Sequence, residues 1–371
     1  MAAPPVPKVV APAHGMAGSA TGMILFTKNT ENIKPMIAPF QTVALKKPSF
    51  LQSIFRQNPE ENALIELNNL IASGGIERIS PETLENIEAR YDLSLTDRFG
   101  LNLEEFYAVA LNHYLANFKM SEQESAKLKQ LATTLHLNEK TTEYFHLEIG
   151  KLSYRKCFII TLNNGEFTKA SEDYLKDIQQ HLNLPEEAEK AISKELRSQH
   201  LLDYFNKMVA DQRVSPQEEA AFKQKAKSLN INPEHNPETR QQLKNFRQYW
   251  SLENEELTAI ENIFEIQKSE TCYLVINRIQ FYEPRSNRSK YGGTYDKLID
   301  SGTLYLTQKR ILMIGLEKNY TIKLDNIIRA QKSSDGITIH KMTGRNPTIK
   351  ASQHELIQLA ILLKRLGIYR N

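Results

Sequence analysis

The sequence, 371 residues long, has only two cysteines, Cys157 and Cys272, and they fall in different apolar segments. Two cysteines cannot build a disulfide framework, and neither C-x-x-C nor H-x-x-x-H occurs among them and the nine histidines, which leaves no zinc-ligand spacing. The expectation is two reduced, buried thiols in a cytosolic protein. Long hydrophobic runs are missing too: none approaches the ~18 residues of a membrane span. The N-terminus, MAAPPVPKVVAPAHGMAGSATG, has neither the basic start and unbroken apolar core of a signal peptide nor the Arg-rich amphipathic character of a transit peptide. Catalytic signatures are also missing: there is no GxxxxGK[ST], GxSxG, HExxH or Rossmann glycine pattern. Cys157 stands in CFII without an adjacent base and Cys272 in a strand pattern, so both read as core residues. The glycine pair of Tyr291–Tyr295 (YGGTY) has no helix behind it to hold a phosphate. A non-enzymatic protein without a cofactor or metal is expected.

What is present is a divided chain. The net charge of +3 conceals +5 over residues 1–56, −12 over 57–265 and +10 over 266–371, so different surfaces face different partners. Residues 1–58 are Pro/Ala-rich without sustained periodicity and read as a flexible arm. Its apolar clusters, Met23–Phe26 (MILF) and Phe50–Phe55 (FLQSIF), could dock on a neighbour or cover the chain's own helices. Residues 59–248 form an acidic helical domain in which one pattern is written three times at a spacing of 47 residues. Its copies are SEQESAKLKQLATTLHLN from Ser121, TKASEDYLKDIQQHLNLP from Thr168 and SPQEEAAFKQKAKSLNIN from Ser215. The hydroxyl residues stand as N-caps, Glu124 and Glu218 at capping-box spacing, and Pro216 at the first helical position. Leu128, Leu175 and Phe222, then Leu131 and Ile178, then Leu135, Leu182 and Leu229 trace one buried stripe, broken by Lys225. Another apolar helix precedes each cap, and a shorter echo starts at Ser80. Stacked units of this kind bury their faces on one another. The turn Leu162–Thr168 (LNNGEFT) lacks the oxygen ligands and closing Glu of a calcium loop. Over residues 100–235 these capped helix pairs, with their Glu-rich first turn and closing L-x-L, resemble the TerB-like tellurite-resistance helical domains. That family's acidic metal-binding cluster is not carried over. Residues 249–267, beginning near Ser251 as a cap, read as a connecting helix with Trp250 as a packing anchor.

After residue 268 the period changes to two. Cys272–Tyr282, Gly302–Gln308, Arg310–Ile314, Tyr320–Leu324, Ile327–Ala330, Gly336–His340 and Thr348–Ala351 read as strands separated by turn signals. A helix capped by Ser352 follows, with Leu356, Ile357, Ala360 and Leu363 as its stripe. The fold class is multidomain α plus β: an all-α helical-repeat domain, then an antiparallel β-barrel with a C-terminal helix. SGTLYLTQKRILMIG, SKYGGTY and KNYTIKLDNIIRAQKSSDGITIH resemble the GRAM and bacterial PH-like domains over residues 268–368.

In lipid-binding members of that group the loop between the first two strands grips an anionic headgroup. The resemblance therefore points to Arg285, Arg288, Lys290 and Lys297, with Lys309 and Arg310 on the next hairpin, as an anionic-ligand site. A solvated basic loop is the alternative. Without a stacking platform or reading helix, nucleic acid is not expected as a partner. The resemblances imply a bacterial, non-enzymatic adaptor or scaffold. Its PH-like domain would localise it to an anionic membrane or a protein partner, while the helical domain recruits another protein. It would be cytoplasmic, or peripheral at the membrane. Two alternatives stay open: a structural subunit of a large envelope-associated complex, and a secreted effector that binds phosphoinositides. A deep polar pocket in the helical domain would instead favour a cryptic enzyme.

Overall fold

The computed structural model describes residues 39–54, 57–232, 236–261, 265–286 and 293–368. Met23–Phe26, Arg288, Lys290, Tyr291 and Gly292 lie outside them. The chain divides into two compact units, Met1–His200 and Leu201–Asn371.

The first unit is helical: α1 (Phe50–Ile54), α2 (Glu61–Gly74), α3 (Pro81–Tyr91), α4 (Leu95–Tyr114), α5 (Glu122–Thr134), α6 (Glu139–Asn163), α7 (Lys169–His181) and the start of α8 (Glu186–Met208). The second continues with α9 (Pro216–Ser228) and α10 (Pro237–Asn254). Ser121 and Ser215 make complete capping boxes. Each hydroxyl accepts the N–H of Glu124 or Glu218 at 3.2 Å, and that glutamate accepts the serine N–H at 2.9 or 2.8 Å. At Thr168 the arrangement is weaker: its N–H donates to the Ser171 hydroxyl at 3.2 Å. The helices end alike as well. His136, Asn183 and Asn230 take left-handed φ values of 51°, 48° and 58°. The next residue then donates its N–H back five positions, Leu137 to Ala132 (2.9 Å), Leu184 to Gln179 (3.0 Å) and Ile231 to Ala226 (2.9 Å). The closing L-x-L is thus a Schellman stop, with x as the left-handed residue. Phe118, Gly165 and Gln212, ahead of the caps and also 47 residues apart, have φ of 65°, 125° and 60°. Replacing Ser121 with Ala should lower stability by about 1 kcal/mol, whereas Thr168→Ala should cost only a few tenths. Urea midpoints of the two variants test this difference.

Part of the expected flexible arm is fixed. Phe40 is buried, with its ring edge-on to Phe106 at 5.8 Å. Two asparagines seven residues apart on α2 each exchange a pair of hydrogen bonds with an arm peptide. Asn62 binds the N–H and C=O of Lys46 (2.7 and 2.9 Å), and Asn69 binds those of Val43 (2.7 Å each). A side-chain amide offers the same donor and acceptor as a neighbouring strand would. Phe50, in contrast, is 81% exposed.

In the second unit, β1 (Cys272–Ser286), β2 (Thr294–Thr307), β3 (Arg310–Gly315), β4 (Asn319–Lys323), β5 (Ile327–Lys332), β6 (Ile337–Lys341) and β7 (Thr348–Lys350) form one antiparallel sheet, followed by α11 (Gln353–Arg365). The order is β4-β3-β2-β1-β7-β6-β5, so β4 and β5 are its edges. Its core joins Ile276, Ile279, Leu304, Ile337, Ile339 and Ile349 to Leu356, Leu359, Leu362 and Leu363 of α11. The buried stripe of α11 therefore runs through Leu359 and Leu362, and Ile357 and Ala360 are only half-buried, because α11 also packs on α10.

Two expectations are corrected. The expected loop after Tyr282 is largely strand: β1 and β2 stay in register to Ser286 opposite Thr294. Pro284 is tolerated because β1 pairs with β7 only through Tyr282, leaving its other edge without a ladder there. The helix expected over 249–267 is not continuous: α10 stops at Asn254, and the described residues from 255 to 267 are not helical. Ser251 lies inside α10, which starts at its Asn236 cap, and its hydroxyl donates to Glu255 at 2.5 Å. Arg365 collects the carbonyls of Leu252 (2.7 Å) and Glu255 (2.6 Å), which closes α10, and Ile260 then pairs with Cys272. Tyr249, not Trp250, is the buried anchor, with its hydroxyl 2.7 Å from His354 Nδ1.

Candidate functional site

The meander sends the expected cations to two different ends of β2. Antiparallel pairing puts Arg285 opposite Tyr295 and Glu283 opposite Lys297 at the start of β2. Lys309 and Arg310 follow its last residue, at roughly 3.3 Å per strand residue some 30 Å along the strand from Lys297. Arg288 and Lys290 lie outside the described residues.

At the first end the guanidinium of Arg285 meets Glu283 at 3.2 Å, and Arg345, from the β6–β7 turn, reaches the same carboxylate at 3.7 Å. Lys297 is exposed. The β3–β4 turn adds Lys318, whose ammonium lies 5.0 Å from the Tyr320 ring centre, and that ring is 4.8 Å from Phe281. Arg345 and Lys318 joined this end without a sequence signal, since only the folded turns bring them here. Asp296 and Glu317 are also exposed here, so charge of both signs is present. Tyr295 (54% exposed), Leu298 (45%) and Leu316 (87%) stand among these groups.

Asp300, just ahead of the SGTLYLTQKRILMIG stretch, serves the backbone. Asp300 is buried and accepts N–H groups from Ser301 (2.8 Å), Leu316 (3.1 Å), Glu317 (3.2 Å) and Lys318 (3.2 Å). Burial alone would raise its pKa. The four N–H donors outweigh that and hold the carboxyl below the ordinary range.

At the other end Thr307 shapes the hairpin, accepting the N–H groups of Lys309 (3.1 Å) and Arg310 (3.0 Å). Arg310 Nε donates to Glu270 at 3.1 Å, and the side chains are only 19% and 5% exposed. Lys309 alone of this pair faces solvent.

The first unit does contain a polar cavity of about 540 Å³ beside α6, α7 and α8. Several of its groups are already engaged. The Tyr154 hydroxyl donates to Glu189 at 3.0 Å, Ser193 donates to the same oxygen, and Arg197 reaches Glu172 at 3.3 Å while lying over the Phe167 ring. Burial pushes the Tyr154 pKa up, which keeps it a donor. The Cys157 and Cys272 thiols are buried, and burial raises both pKa values, away from the thiolate a nucleophile requires. Among the described residues no helix is long and apolar enough to cross a membrane.

Compared with known proteins, the chain matches no family model and no curated protein.

Proposed function

We propose that the chain is a non-enzymatic adaptor, a TerB-like array of capped helix pairs joined to a PH-like sheet domain, with each part docking another protein. Caps and left-handed turns recurring every 47 residues support the array. The strand order, with α11 closing the core, supports the PH-like reading. The observation that carries the function is the state of the described residues of the expected anionic-ligand site. Arg285 and Arg310 already hold carboxylates, and exposed Tyr295, Leu298 and Leu316 stand among charges of both signs. A mixed, partly apolar surface suits a protein partner. An anionic membrane would reward unpaired cations, at about 1 kcal/mol each.

The test is co-sedimentation of the full chain with neutral and phosphatidylserine vesicles, beside the Arg285→Ala/Lys297→Ala/Arg345→Ala variant. Binding should rise no more than about twofold with lipid charge and be equal in both proteins. Strong anion-dependent binding lost in the variant would move the assignment to the membrane, and with phosphoinositides to the effector reading. In a parallel affinity purification, Leu298→Asp/Leu316→Asp should lose a partner that the wild type retains.

A fixed subunit of a larger complex is the second reading. It is favoured by the outward face of α6, where Leu152, Ile159 and Ile160 are 64%, 45% and 42% exposed. A stoichiometric assembly surviving gel filtration would support it.

A further inference from the structure

α9 and α10 form the walls of an open cleft of about 920 Å³ within the second unit. Leu243 and Trp250, seven residues apart on one face of α10, and Ile231 supply its accessible apolar lining, above Phe222 and Ala226 of α9, which are buried. Lys223, Lys227, Arg240, Lys244 and Arg247 stand around them. Among the described residues only two carboxylates line the cleft, Glu219 and Glu255. Glu219 is already matched by Lys223 (2.8 Å) and Arg247 (3.4 Å). Lys227, Arg240 and Lys244 make no ion pair among the described residues, which leaves the cleft cationic despite the acidic sequence around it.

We infer that this cleft binds an acidic amphipathic helix of a partner protein. An apolar floor with cations at the rim is the complement of a helix that has aliphatic anchors at i, i+3/i+4 and i+7 and carboxylates beside them. The chain's own first 38 residues have the wrong sign for this role, with three lysines and one glutamate. A nucleic acid would satisfy the rim but presents no aliphatic face to Leu243 and Trp250. The inference gives the adaptor a recruitment site, and it uses none of the sheet-end residues.

Trp250 is the only tryptophan, so its emission reports on the cleft directly. The full chain would be titrated with a synthetic peptide of about 18 residues, five helical turns, carrying Leu at the anchor spacing and Glu elsewhere. The controls are the same peptide with Lys for Glu, and oligothymidylate of equal charge. The acidic peptide should shift Trp250 emission saturably, with affinity falling as salt rises. Lys227→Glu/Lys244→Glu, two exposed positions whose folding is checked by circular dichroism, should weaken it at least about tenfold. Arg285→Ala/Lys297→Ala/Arg345→Ala should bind it normally, which separates failure here from failure of the sheet-end reading. Equal binding of the Lys peptide, or no shift up to about 1 mM, an affinity of only ~4 kcal/mol, would overturn the inference. So would tighter binding of oligothymidylate, or concentration-dependent self-association abolished by the same variant, which would assign the cleft to nucleic acid or to a second copy.

Discussion

Gly302→Ala should unfold the sheet unit at markedly lower urea than the wild type, a loss of roughly 3–5 kcal/mol. Gly302 and Gly315 face each other across β2 and β3. A Cβ on Gly302 would stand 2.0 Å from the Ile314 carbonyl oxygen and 2.8 Å from the Gly315 Cα. Both obstacles are backbone, so no rotamer change relieves the overlap, and β2 and β3 must separate where Gly315 ends β3. Gly315→Ala should act similarly, because its Cβ would meet Asp300 Oδ2 at 2.1 Å and the Lys318 carbonyl at 2.6 Å. Gly100, inside α4, meets nothing within 4 Å. It follows the kink at Phe99 (φ −131°, ψ 26°), outside a regular helix interior, so Gly100→Ala should change stability by less than about 0.5 kcal/mol. Trp250 emission follows unfolding of the second unit, and hydrogen exchange separates the two. A Gly302→Ala protein with an unchanged midpoint would show that the strands do not approach this closely.

The same node sets an acid response. The Asp300 pKa is lower in the folded than in the unfolded protein. Its contribution is therefore present above the unfolded carboxylate value of about 4 and is lost as pH falls through the folded value. Asp300→Asn should be less stable than the wild type at pH 7, and the gap should narrow below about pH 4.

Local chemistry was legible in the sequence, and distant pairing was not. Serine caps, a proline at the first helical position and alternation after residue 268 are local signals, and helices and strands form where those signals stand. The L-x-L ending was visible as a pattern, but its cause, a left-handed residue at His136, Asn183 and Asn230, is a backbone property. Ser251 misled because a hydroxyl followed by acidic residues marks a helix start only where no helix is already running. α10 arrives from Asn236, and the residue that ends it, Arg365, is more than a hundred positions away. The cations were countable, but their partners were not. Arg310 finds Glu270 forty residues upstream, and Arg345 finds Glu283 only because the β6–β7 turn folds back. The cleft had its two amphipathic faces in plain view on α9 and α10. That the faces line one cavity depends on how the helices pack.

Arg310→Ala should lower stability by about 2–3 kcal/mol without changing the interaction of the folded protein with anionic vesicles. The side chain sits at a hairpin, where an anion-gripping role predicts the reverse: normal stability and lost binding. Its Nε instead meets Glu270, whose side chain is 5% exposed, so truncation strands a carboxylate in a nearly dry site. The expected loss is set below that of a fully buried pair because Arg310 itself keeps 19% of its side-chain exposure and water screens it in part. Replacing both partners with apolar residues, Glu270→Leu with Arg310→Met, should recover most of the loss, since the penalty lies in the unpaired charge. The hairpin itself should persist in both proteins, because Thr307 holds Lys309 and Arg310 through their backbone N–H groups and Gln308 accepts the Thr271 N–H at 2.6 Å. Urea midpoints of the two single variants and the double, read beside their vesicle binding, decide between the roles. A stable Arg310→Ala protein that has lost anionic binding would return this arginine to a ligand site and the sheet domain to the membrane.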